Sequence, residues 1–116
     1  MNFSNNPIEQ KSFDFSLRII EIYKEIIEQK EFVLSKQLLR SGISIGANIQ
    51  EAQAAFSKRD FAAKMSISSK EAREARYWLH LIKHGKVADV PVDVIIEDNM
   101  ELIRILTSIV KSSQVR

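Results

Sequence analysis

Apolar residues return every three or four positions in four stretches of this chain, and that step is the period of an α-helix. From Phe13 to Gln29 two interleaved series keep it: Phe13, Leu17, Ile20, Tyr23 and Ile27, and Phe15, Ile19, Ile22 and Ile26. Together they cover more than the roughly 100° stripe that one core requires, so this helix, expected over about residues 11–30, has a second apolar side that another subunit could cover.

The second stretch places Leu34, Leu38, Ile45, Ile49, Ala52 and Phe56 at helical spacing and predicts a helix over about 33–55. Gly42 and Gly46 stand four apart inside it, with Ser35 and Ser41 nearby. Each glycine costs roughly 1 kcal/mol against alanine in a helix interior. The pair therefore either breaks the segment into two short pieces or sits within one helix and lets a neighbouring backbone approach. The unbroken Leu and Ile spacing on both sides favours one helix.

Ser57-Lys58-Arg59-Asp60 reads as a helix start, with the Ser57 hydroxyl able to accept from the amide three residues on and Asp60 near the positive helix end. The third helix is expected over about 58–84, stopped by Gly85. Its core stripe is Phe61, Met65, Ser68, Ala72, Ala75, Leu79 and Ile82, whose small central members are expected opposite the glycine-bearing helix. Trp78 falls on a separate stripe with Ile67, Glu71, Glu74 and Leu81. Asp89 and Pro91 open a fourth helix over about 91–113, carried by Val92, Ile95, Ile96, Asn99, Leu102, Ile103, Leu106, Ile109 and Val110. Acids crowd its first half and Lys111 and Arg116 its end, which suits the helix dipole.

Short links force neighbouring helices to run antiparallel, so residues 1–116 are expected to form a single all-α domain, an up-down-up-down four-helix bundle. Three glycines and two prolines in 116 residues agree, because a sandwich or barrel needs many more turns. The absence of cysteine excludes disulfides, thiolate nucleophiles and thiolate metal sites. The opening Met-Asn-Phe-Ser-Asn-Asn-Pro has no basic run leading into an apolar one, and no apolar run approaches the ~20 residues of a bilayer span. The expectation is a cytoplasmic protein without membrane contact.

The net charge of +2 hides an uneven distribution: residues 57–88 carry eight bases and three acids, whereas residues 1–31 carry four bases and six acids. Either the third segment meets an anionic partner or its charges pair with acidic neighbours. Lys70, Arg73, Arg76, Tyr77, His80, Lys83 and His84 follow steps of three and four along the third helix, away from its core stripe. Bases at that spacing can track phosphates and Tyr77 can stack on a base, which makes these residues the candidate nucleic-acid-binding set. Arg40, Asn48, Glu51, Glu71 and Glu74 are read as a structural polar network that fixes helix register, with Arg73 and Arg76 as further available partners.

Catalysis finds no foothold. A di-iron bundle needs Glu-x-x-His on two helices, and no glutamate here is followed three residues later by histidine. Two histidines, no cysteine and no glycine-rich phosphate loop supply no nucleophile–base pair. No catalytic residue, metal or cofactor is expected.

Gln37-Leu38-x-Arg40, Ser44-Ile45-x-Ala47-Asn48-Ile49-x-Glu51, Ser57-x-x-Asp60-Phe61 and Lys70-Glu71-Ala72-x-Glu74-x-x-Tyr77-Trp78-Leu79 resemble the four-helix-bundle family of the ribosomal RNA intervening-sequence protein, whose superfamily includes the accessory variability determinant of diversity-generating retroelements. Ala52-Gln53-Ala54 departs from it where many intervening-sequence members carry a glycine-containing turn. The resemblance implies antiparallel bundles in ring-shaped homopentamers, no enzymatic activity, and, for the retroelement branch, a basic surface engaging nucleic acid and a reverse transcriptase. The leading expectation is a non-enzymatic homo-oligomeric bundle that binds RNA, DNA or a nucleoprotein partner through the basic face of the third helix. The alternative is a structural scaffold or protein-interaction module.

Overall fold

Asn6 and Pro7 start the first helix of the computed structural model, which describes residues 2–114. The Asn6 side chain accepts from the Ile8 amide at 3.2 Å, and Pro7 occupies the first turn, where its missing N–H has no partner to lose. Helix α1 therefore spans Pro7–Glu28, beginning four residues before the position expected from the apolar series. Helix α2 (Leu34–Gln53) is started by an acidic side chain that the apolar pattern does not reveal: the Glu31 carboxylate accepts from the amides of Val33, Leu34 and Ser35 at 2.6–3.1 Å. An anion there also favours the positive helix end.

Helix α3 (Lys58–Gly85) begins with a reciprocal cap: Ser57 Oγ accepts from the Asp60 amide at 3.0 Å while Asp60 accepts from the Phe56 amide at 3.3 Å. Gly85 does not act as the expected stop. It is the last helical residue, and Lys86 takes the left-handed conformation, φ 52°, that ends α3. Helix α4 covers Asp93–Ser113; Pro91 and Val92 precede it rather than open it. Arg116 lies outside the described residues.

Cross-helix contacts fix the directions. Glu9 meets Gln50 and Ile19 lies against Gly42 between α1 and α2. Lys64 meets Glu51 and Arg40 meets Glu71 between α2 and α3. Lys83 meets Asp93 and Arg73 meets Thr107 between α3 and α4, and Lys11 meets Glu101 and Arg18 meets Asp98 between α1 and α4. In every pair of neighbours one number rises as the other falls, so the bundle runs up-down-up-down. It is all-α, with no strand among the described residues. No helix is long and apolar enough to cross a membrane.

Phe15, Ile19, Ile26, Leu38, Ile45, Ile49, Met65, Leu79, Ile82, Leu102 and Leu106 fill the core. Burying each such side chain contributes about 1.5–3 kcal/mol. Two positions depart from the expected pattern: Phe56 lies beyond the end of α2 in the turn and is 98% exposed, and Phe61 is only half-buried. Helix α2 is continuous through Gly42 and Gly46, which settles the open alternative. Its glycines face α1, not the small residues of α3. A Cβ at Gly42 would lie 2.9 Å from Ile19 Cγ1, whereas one at Gly46 would meet Ser12 at an ordinary 3.4 Å. The small stripe of α3 approaches α2 independently: buried Ser68 donates to the Ile45 carbonyl at 2.8 Å. On the other side buried Asn99 of α4 donates to the Ala72 carbonyl at 3.0 Å, and its own Oδ1 has no partner.

Candidate nucleic-acid interface

Helix α3 is the pivot of the bundle, because its core stripe leaves two flanks, one turned towards α2 and one towards α4. Positions 100° apart along the helix decide which residues share a flank.

On the α2 flank the charges close on one another. Arg40 reaches across to Glu71 at 3.3 Å and also to Glu74, and Lys64 pairs with Glu51 at 3.0 Å. Glu74 further accepts from the Trp78 indole nitrogen at 3.1 Å, orienting the ring over the core edge. The sequence-predicted polar network thus gathers Arg40, Glu71 and Glu74 and gains Trp78. It does not include the other two members: Asn48 donates to the Ser44 carbonyl one turn back, and Glu51 belongs to Lys64. Nor is it buried, since the Arg40 side chain is 49% exposed. The reason is register: Asn48 and Glu51 lie two and three turns beyond Arg40 on α2, and the antiparallel crossing carries them towards residue 64 rather than towards 71 and 74.

On the α4 flank and the outer face the charges are left open. Lys70 and Arg76 are exposed and form no ion pair among the described residues. Arg73 donates to the Thr107 hydroxyl at 3.1 Å, a neutral acceptor that fixes the guanidinium without cancelling its charge. Tyr77 is 59% exposed, with Trp78 against it edge-on at 5.4 Å. His80 and His84 stack one turn apart, centroids 5.7 Å apart and planes within 3°. Burial, then the charge of Arg76, then His84 and Lys83, hold the His80 pKa below its usual 6.5, so this ring is neutral at pH 7. Lys83 alone of the candidate set is neutralised by a carboxylate, Asp93 at 2.7 Å, which keeps the Asp93 pKa low.

The seven candidate residues therefore share one side of α3, and Arg73 ties that side to α4. Across the seam Arg104 and Lys111 join it. With Arg73, Ile103, Thr107 and Ser108 they line an open groove of about 440 Å3 to which no described residue brings a carboxylate. The sequence reading omitted both. The signal available for them was a seven-residue step on the exposed side of α4, which means little until the partner helix is in place. Among the described residues no group of three or more histidine, cysteine, aspartate or glutamate side chains is arranged to hold a metal ion.

Comparison with known proteins assigns the fold a family. The model for the 23S rRNA-intervening sequence protein matches residues 4–108. The chain belongs to that family. Four solved chains also match, among them a Bacteroides thetaiotaomicron protein described as of unknown function from the S23 ribosomal protein family. It is 47% identical, covering 90% of this chain and 98% of its own, with a TM-score of 0.83. No curated protein matches. Within the 23S rRNA-intervening sequence family, then, this member carries its charge as a neutralised α2 flank and an open, cationic α4 flank.

Proposed function

We propose that this protein is a non-enzymatic, homo-oligomeric helical bundle that binds nucleic acid electrostatically through the outer and α4-facing side of α3. The carrying observation is the set of cations without carboxylate partners among the described residues, Lys70, Arg73 and Arg76, on one side of α3 with exposed Tyr77. Cations on one face release the counterions of a phosphate backbone, and an exposed aromatic ring adds base stacking. The family's link to ribosomal RNA genes agrees with a polyanionic partner. If the gene lies within a 23S rRNA locus, the RNA itself is the implied partner; beside a diversity-generating retroelement, a reverse transcriptase complex is. An electrophoretic shift assay across a salt series tests this reading: binding at about 50 mM salt that weakens steeply with added salt supports it, and no binding there overturns it.

Self-assembly has its own support. Leu17 and Ile20 on α1 and Ile43 on α2 are exposed, and Ile67 and Leu81 are exposed on α3, on the helical stripe that also carries Trp78. Two different apolar faces on one protomer suit a heterologous contact that closes into a ring, and the family resemblance sets the expected number at five. Light scattering at micromolar concentration is expected to give about five times the 13.3 kDa chain mass. A clean monomer contradicts the ring and leaves the nucleic-acid reading to its own assay. The second reading, a scaffold without nucleic-acid binding, is favoured by these same apolar faces and predicts assembly with no shift at any salt.

A further inference from the structure

We infer that the groove between α3 and α4 is the track for the phosphates of a single nucleic-acid strand, with Arg104 and Lys111 as its α4 contacts and Thr107 as the residue that positions Arg73. The inference rests on the nucleic-acid reading above and adds to it a second helix, a direction and a strand type.

The lining carries the argument. Among the described residues three cations and two hydroxyls border the groove, and only Ile103 is apolar. Glu101, whose carboxylate feels the charge of Arg104, is already held by Lys11 across the α1–α4 seam. Lys111 has no carboxylate partner among the described residues. Thr107 is held in turn, its hydroxyl donating to the Ile103 carbonyl at 2.7 Å, so its oxygen faces Arg73 as an acceptor. This fixed hydroxyl sets the Arg73 guanidinium at the rim while leaving most of its five N–H donors free.

Spacing selects a chain over a small anion. Arg104 and Lys111 are seven residues apart, two turns, so their backbones are about 10 Å apart along α4 on one side of the helix. One phosphate group does not span that interval, whereas successive phosphates of a strand do. The strand type follows from the aromatic. The groove itself contains no ring, but Tyr77 stands one turn beyond Arg73 on α3 with more than half its surface open. Phosphates laid in the groove would turn bases outward towards that ring, and only unpaired bases offer a face to stack.

Fluorescence anisotropy with a labelled single-stranded oligouridine, over a series of salt concentrations, tests the inference on the full chain. Arg104→Gln with Lys111→Gln removes two exposed charges and no core contact, so the melting temperature should stay with the parent. The slope of log affinity against log salt should become shallower by about 1.4, at about 0.7 per phosphate contact on a single strand. Affinity at about 50 mM salt should fall more than tenfold. Thr107→Val should reduce the slope by less than one contact, and Tyr77→Ala should weaken binding without altering the slope. An unchanged slope in the Arg104/Lys111 variant, with binding lost in Lys70→Gln/Arg76→Gln, overturns the groove and leaves the α3 face standing. Tighter binding of duplex than of single strand, or full displacement of the strand by equimolar inorganic triphosphate, also overturns it. Absence of binding by the parent overturns the groove and the nucleic-acid reading together.

Discussion

The two flanks of α3 carry similar residues and do different work. Towards α2, Arg40 is answered by Glu71 and Glu74 and Lys64 by Glu51, and Ser68 brings the helix against the Ile45 carbonyl. Towards α4 and solvent, Lys70, Arg73, Arg76, Arg104 and Lys111 have no carboxylate partner among the described residues. A count of bases along the third segment cannot tell these flanks apart. What separates them is the residue that the neighbouring helix sets opposite each base, and one flank becomes a seam while the other becomes a field available to a partner.

The largest effect should fall where the core stripe of α3 meets α2. Ser68→Leu places a branched side chain where a hydroxyl now touches the α2 backbone, and overpacking of this kind costs about 1–3 kcal/mol. Denaturant unfolding should show that loss, whereas Lys70→Leu on the open face should stay within about 0.5 kcal/mol of the parent. Equal effects would contradict the close approach of α3 to α2 at Ser68. A smaller effect is expected from Arg40→Gln. The pair is about half exposed and screened, so its removal should cost at most about 1 kcal/mol and leave nucleic-acid binding unchanged.

The smallest effects concern protons. The His80 pKa is below its ordinary value in the folded protein, so the unfolded chain takes up a proton first as pH falls through about 6.5, and folding loses stability over that interval. His80→Gln should flatten the decline between pH 7 and 5.5 in thermal melts. The Asp93 pKa is lowered too, and there the charged form is the one its partner favours, so stability again falls with pH but in the acid range. The Lys83 hydrogen bond and charge hold its pKa below 3.8, so its contribution is present above that value and is lost as pH falls through the folded pKa. Lys83→Met should remove that acid-range loss, leaving a small, pH-independent loss of stability above pH 5.

Much of the fold was legible because the information was local. The four helices follow from apolar spacing, and the Ser57 cap places its acceptor and amide within four residues of each other. The start of α1 was misplaced because Asn6-Pro7 lies outside the apolar series, whereas the start of α2 falls within one residue of the expected place although its Glu31 cap, a longer side chain than the usual Ser, Thr, Asp or Asn, was not foreseen. Phe56 kept helical phase with α2 after the helix had ended, and phase alone cannot see an end. The glycines were recognised as a close approach, but which neighbour they face depends on tertiary packing: Gly42 takes Ile19 of α1, about twenty residues away in sequence. The candidate site was legible on α3, where residues three and four apart share a face. Its α4 half was not, because Arg73 and Arg104–Lys111 meet only through the register of two helices.

The central claim is that the open flank of α3, and not its basic composition as such, binds nucleic acid. Anisotropy titration of labelled RNA at about 50 mM salt tests it most directly, comparing the parent with Lys70→Glu/Arg76→Glu and with Arg40→Glu/Lys64→Glu. Each pair reverses two charges, so the change in net charge is identical. The account predicts at least a tenfold loss of affinity for the first pair and less than a threefold change for the second. Equal losses would mean that net charge alone governs binding, and the distinction between the flanks would fall.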